Sequence, residues 1–120
     1  MFLLSKEQEK LRSELREYVD AEILPLAAEM DFRGGFPYEQ FAYIGRQGYL
    51  DAEFEYTGSG ARYGSTEGTI IIEELSRGLA SLGLAVIPHY QCKELIAYCG
   101  TDILKKELIE PARRGETVFA

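Results

Sequence analysis

Few residues in this 120-residue chain have the type and spacing for chemistry, and geometry decides most of them. His89 is the only histidine, which excludes a histidine dyad and a multi-histidine metal site. Cys92 follows it by three residues, which puts both on one helix face, as a Cys–His nucleophile pair needs. Such pairs are activated by a helix N-terminus or a positive environment, and this one falls mid-helix. His89 is therefore expected as a satisfied histidine at the edge of a core or cleft. Cys92 and Cys99 lie two helical turns apart, about 10 Å of rise, too far for a disulfide. They read as small buried apolar residues in a reducing compartment. No metal-binding cluster accompanies them.

Glu73-Glu74 and Glu107 with Glu110 are carboxylate pairs of the kind that general acid–base chemistry uses. Neighbouring helical positions point about 100° apart, so Glu73 and Glu74 do not converge on one substrate. Solvated groups or helix–helix contacts are expected instead. The run 58–64, GSGARYG, resembles a dinucleotide loop, but its glycines are spaced G-x-G-x-x-x-G rather than G-x-G-x-x-G. No Asp or Glu stands between Leu75 and Cys92 to bind a ribose. The loop reads as a flexible connector. Pro88 lies inside an apolar helix, where it frees the carbonyl of Leu84, and Gly83 leaves that helix without a side chain nearby. Together they either wall a narrow apolar cavity or only improve packing.

The elements that must position these residues are helical. Ser5 and Gln8 fit a capping box. Leu11, Leu15, Tyr18, Val19, Ile23, Leu26 and Met30 then form one apolar stripe to about Asp31, with Pro25 kinking or dividing the helix near Leu24. A short helix follows Phe36-Pro37 with Phe41 and Ile44 inward and Gly48 at its end. Residues 49–56 alternate apolar and acidic, as an extended segment with one buried face does. Ser65 caps a third helix that ends near Gly78. A fourth runs over about 81–98 and closes at Gly100; between Leu82 and Cys99 its only charges are Lys93 and Glu94. A helix so apolar is expected at the centre, surrounded by others. Thr101 or Asp102 caps a fifth, which Pro111 shortens or kinks. The fold class is all-α, an up-and-down bundle of about five helices with a short extended segment and a Gly-rich loop, forming one domain over 1–120.

Twenty acidic against thirteen basic residues give a net charge of -7, which argues against a nucleic-acid surface. Lys105-Lys106 and Arg113-Arg114 read as solvated last-turn charges. No apolar run reaches membrane-spanning length, and Met1-Phe2-Leu3-Leu4 leads at once into charged helix, unlike a signal peptide. The chain reads as cytosolic, or as the mature form of an organellar protein. Its apolar end, Thr117-Val118-Phe119-Ala120, reads as a segment that pairs with something further on, so the chain is expected to be the front part of a larger protein.

The order of these signals resembles the N-terminal helical domain of the acyl-CoA dehydrogenase family. The residues that carry it are Ile23-Leu24-Pro25, Phe36-Pro37, the Gly-rich loop, Ile72-Glu73-Glu74-Leu75-Ser76-Arg77, the long apolar helix, Gly100-Thr101 and Gly115-Glu116. The resemblance implies a flavoprotein with a middle β domain and a C-terminal helical domain that this chain does not contain. It implies α,β-dehydrogenation of an acyl-CoA thioester, with a glutamate base and hydride transfer to FAD. It also implies a homotetramer or dimer and an electron-transferring flavoprotein as partner. No residue here matches the catalytic glutamate or an FAD ligand. The matching part of the acyl-pocket wall is Leu82, Gly83, Leu84, Val86, Ile87 and His89. Oxidases and monooxygenases share the scaffold, and the alternative is a free-standing helical binding module without redox activity.

Overall fold

The computed structural model describes residues 3–120; the reading of Met1-Phe2 lies outside the described residues. Helix α1 (Lys6–Tyr18) passes through a five-residue π turn (Val19–Ile23) into α2 (Leu24–Arg33). After α3 (Tyr38–Arg46), an irregular stretch leads to α4 (Ser65–Gly78), α5 (Ala80–Cys99) and α6 (Asp102–Arg113). The first three segments form one continuous rod, so five rods result, as the apolar periodicity predicts.

The capping box is present: Gln8 N–H donates to Ser5 Oγ at 3.2 Å, and Ser5 N–H to Gln8 Oε1 at 2.9 Å. Pro25 divides the rod where expected, at the first turn of α2, where its missing N–H costs little. The π turn before it has a reason in the spacing. Leu11, Leu15, Val19 and Ile23 recur every four residues and are all buried. Steps of four drift around an α-helix by about 40° each, and the extra residue of a π turn takes that drift back. Beyond it the stripe weakens, for Leu26 is exposed and Met30 only half-buried.

Other expectations need correction. Ser65 does not cap α4; Gly64 does, and Glu67 Oε2 accepts its N–H at 3.2 Å. Pro111 does not end α6, which runs on to Arg113. Cys92 is only half-buried and Cys99 is exposed, so they are not core residues. Helix α5 is not surrounded. Leu82, Val86, His89, Tyr90, Lys93 and Ala97 face the core, while Leu84, Leu95 and Tyr98 are 67%, 62% and 78% exposed. Its opposite face is apolar and bare. Among the described residues no helix is long and apolar enough to cross a membrane.

One buried carboxylate locks α1 to α4. Glu74, 1% exposed, accepts from Arg16 at 2.7 Å and from Arg77 at 2.9 Å, and Arg77 also pairs with Asp20 at 2.8 Å. Glu73 turns outward to Arg12, so the two glutamates diverge as their helical positions require. Burial would raise the Glu74 pKa, but the hydrogen bonds from Arg16 and Arg77 outweigh it and hold it below the usual carboxylate range. Glu74→Gln removes the counter-charge from three partly solvated arginines, Arg12 at 3.5 Å besides Arg16 and Arg77, and should cost about 1–3 kcal/mol at neutral pH, measured by urea unfolding. Because the folded pKa is depressed, this contribution is present above the unfolded value near 4.5 and disappears as pH falls through the folded one. Wild type and variant should therefore converge in stability in acid; a gap independent of pH would contradict an ionic role.

Candidate functional site

The segment 82–89 occupies the first half of α5, held against α4 at one end and α6 at the other. At the α4 end the contact is made by a glycine against a serine. A Cβ on Gly83 would stand 1.9 Å from Ser76 Oγ and 3.0 Å from Ser76 Cα. The notch left by Gly83 is thus filled by Ser76 and opens no cavity. Gly78 does the same one layer down, where a Cβ would meet Val19 Cγ1 at 2.4 Å and Ile23 Cγ2 at 2.9 Å. The π turn presses its two buried side chains into that gap.

Of the six expected wall residues, the structure separates two sets. Leu82, Gly83, Val86 and His89 are buried within the domain. Leu84 is exposed and Ile87 half-buried on the opposite face, with Leu95 and Tyr98 about two and three turns beyond Ile87 and the uncharged Gln91 exposed between them. A hollow of about 400 Å³ lies beside the start of α5, lined by Leu26, Met30, Phe36, Pro37, Leu79 and Ser81 among others; it includes none of the six.

His89 is a core residue held on both ring nitrogens. Nε2 lies 2.9 Å from the carbonyl of Ala112 in α6, and Nδ1 accepts the N–H of Phe119 at 3.2 Å. A carbonyl only accepts, so Nε2 carries the proton. The ring meets Phe41 edge-on at 5.0 Å and stacks on Phe119 at 5.4 Å. No nitrogen remains to activate Cys92. Burial pulls the His89 pKa down, the hydrogen bond to Ala112 opposes this, and nearby Lys93 adds to the lowering.

The second half of α5 fastens the extended segment. Lys93, almost fully buried, lies 3.3 Å from Asp51 Oδ1, and Arg113 Nε lies 2.9 Å from the same oxygen. Asp51 Oδ2 accepts from Arg62 N–H at 3.0 Å. Arg113 is therefore no solvated last-turn charge, although its neighbour Arg114 is exposed and pairs with Glu116. Burial lowers the Lys93 pKa and Asp51 pushes it back up. Glu94 Oε1 accepts the backbone N–H groups of Phe54 and Glu55, and Tyr90 donates its hydroxyl to the Tyr49 carbonyl. Glu53 Oε2 accepts from Thr57 at 2.6 Å and Ser59 at 2.9 Å, closing the Gly-rich loop upon itself. A single parallel bridge, Ala52 to Tyr63, ties its two ends. The loop is pinned at both ends, not a free connector. It is no phosphate cradle either, since the Glu67 carboxylate occupies the N-terminus of α4. Sequence reasoning missed this fastening, and its one signal was that Lys93 and Glu94 are the sole charges of an apolar helix.

An all-helical bundle that leaves its most apolar helix bare on one side defines a domain built to be covered. Comparison with known proteins places it. Residues 5–116 match the model of the acyl-CoA dehydrogenase N-terminal domain, and the chain belongs to that family as such a domain. The short-chain specific acyl-CoA dehydrogenase of Clostridium acetobutylicum is 34% identical over 99% of this chain and 32% of its own length. Glutaryl-CoA dehydrogenase of Desulfococcus multivorans is 32% identical over 96% of this chain and 31% of its own. The chain therefore spans about a third of the curated relatives it matches. Among solved structures, a glutaryl-coenzyme A dehydrogenase with bound glutaryl-CoA superposes with a TM-score of 0.82 at 27% identity, over 99% of this chain and 31% of that one. Butyryl-CoA dehydrogenase from Megasphaera elsdenii shares the fold, with a TM-score of 0.80 at 19% identity over 98% and 32% of the two chains.

Gly83→Ala should force α4 and α5 apart against the backbone of Ser76 and cost about 1–3 kcal/mol of stability, read as a lowered denaturant midpoint with unchanged slope. A neutral result would mean that the helices tolerate a wider crossing than the one described.

Proposed function

We propose that this domain supplies part of the acyl-pocket wall of an FAD-dependent acyl-CoA dehydrogenase. The observation that carries the reading is the bare apolar face of α5 in a domain of this family: Leu84 and Ile87 on the surface, backed by Leu82, Gly83, Val86 and His89. An acyl chain is recognised by apolar burial alone, and this face offers apolar area without competing charge. The buried residues behind it fix where the wall stands, because the Gly83–Ser76 contact and the two His89 hydrogen bonds hold the first half of α5 at either end.

FAD, when bound, would accept the hydride that leaves the β-carbon as the α-proton is removed. No residue of this chain is assigned to it: the Gly-rich loop is closed on Glu53, and α4 carries its own carboxylate at the N-terminus. The chemistry would therefore be completed by parts of the polypeptide that the relatives carry beyond this length. In the same reading the enzyme is a homotetramer or dimer, passes electrons to an electron-transferring flavoprotein, and works in the cytoplasm.

The test uses the natural polypeptide in which residues 1–120 occur. Anaerobic titration with acyl-CoAs of graded length should bleach its oxidised flavin band, and a protein without flavin, or one that no acyl-CoA reduces, would overturn the reading. Leu84→Ala and Ile87→Ala should each shift the ranking of kcat/KM among chain lengths by about tenfold, the scale set by one or two methylenes in an apolar pocket. An unchanged ranking would remove these residues from the wall while leaving the activity standing.

A further inference from the structure

The end of α6 and the segment behind it are attached to the bundle in an unusually concentrated way. At Gly45 of α3 a Cβ would stand 2.4 Å from the carbonyl oxygen of Arg114 and 2.6 Å from Gly115 N, so α3 and the end of α6 meet backbone to backbone. Gly115 turns the chain with a φ of 71°, a conformation that favours glycine. The segment then runs back across α5, where Val118 packs on the core and Phe119 is half-buried on the His89 ring. The expected apolar end is thus not loose; it is folded onto the domain. Past Thr117, the one hydrogen bond that holds it is the Phe119 N–H on His89 Nδ1, among the described residues.

That arrangement makes the imidazole a two-sided connector. Nε2–H donates to Ala112 on one side and Nδ1 accepts from Phe119 on the other, so only the neutral Nε2–H tautomer satisfies both partners. A proton taken from solvent by the Nδ1 lone pair leaves the Ala112 contact intact and sets a donor against a donor at Phe119. We propose that His89 is a pH-sensitive clasp: neutral, it fastens segment 117–120 to α5, and on protonation it releases that segment while the bundle stays folded. The charges on the packed elements do not prevent this. Lys93 on α5 is the one that acts on the ring, and it disfavours the cation. Asp51, from the extended segment, is engaged by Lys93 and by Arg113 of α6, and Glu116 is turned to Arg114. Helix α3 presents Phe41, and the segment itself presents the Phe119 ring.

The burial that lowers the His89 pKa places the release below the ordinary histidine range. The folded state thus binds its proton later than an unfolded chain would, so the clasp is fully closed above about pH 6.5 and weakens below it. The inference does not depend on the flavin chemistry, since it concerns only hydrogen bonds within this domain.

Hydrogen–deuterium exchange of the natural polypeptide, corrected for the intrinsic pH dependence of exchange, tests it between pH 5 and 8. Peptides covering 115–120 should lose about tenfold of their protection on going to the acid end, the scale of one hydrogen bond, while peptides from α1 and α4 keep theirs. His89→Gln, whose amide does not titrate, should give protection in 115–120 that no longer varies with pH. Flat protection of 115–120 in the wild-type protein would overturn the clasp. So would a loss shared equally by α1 and α4, which would make His89 a plain core residue whose charging unfolds the whole domain. The wild-type comparison alone decides between these outcomes if the variant fails to fold.

Discussion

Helices α4 and α5 cross at a glycine with the small Ser76 side chain seated against it, and most of the domain is arranged around that contact. Gly83 admits Ser76, and Gly78 admits Val19 and Ile23 from the first rod. Gly83 lies within α5, where glycine carries a propensity cost of about 1 kcal/mol, and Gly78 is the last residue of α4. Their bare positions let the side chains of Ser76, Val19 and Ile23 seat in them, with Val19, Ile23, Leu75, Leu82 and Val86 all buried around that line of contact. The constraint is steric rather than adhesive, since it sets how near the rods can come and therefore where every residue on α5 stands.

Charge is used in the same spirit. A chain of this size has a modest core, and here three buried or nearly buried polar groups fasten elements that apolar packing alone would leave adjustable. Glu74 fixes α1 against α4, Asp51 with Lys93 and Arg113 fixes the extended segment against α5 and α6, and His89 fixes the end of the chain. Each is shared by at least two elements, so none is fully satisfied by one element on its own. Buried ions are costly by themselves. In this domain they specify which surfaces meet, while the glycines specify how closely.

What was legible beforehand follows from the range of the interactions concerned. The Ser5–Gln8 box, the division at Pro25, the close of α4 at Gly78 and of α5 at Gly100, and the cap at Thr101 are decided within a few residues. The role of Gly83 is not, because only the position of Ser76 on another helix distinguishes a filled notch from an open one. Lys93 and Glu94 stood out as charges in an apolar helix, yet their partners lie about 40 residues away in a loop of unremarkable composition. Uniform apolarity likewise hid which side of α5 is covered. Both faces of such a helix look alike in sequence, and only the packing of α4 and α6 breaks the tie in favour of Leu82, Val86 and His89 over Leu84, Leu95 and Tyr98.

The π turn at Val19–Ile23 separates two properties that a regular helix ties together. In an uninterrupted α-helix, the direction in which α2 points its side chains would follow from how α1 seats on α4. One surplus residue breaks that dependence, so the rod has an adjustable phase at its midpoint while its axis remains continuous. Residues that grip the bundle and residues that face elsewhere can then be set separately on a single rod, which makes the first helix two instruments that share one shaft.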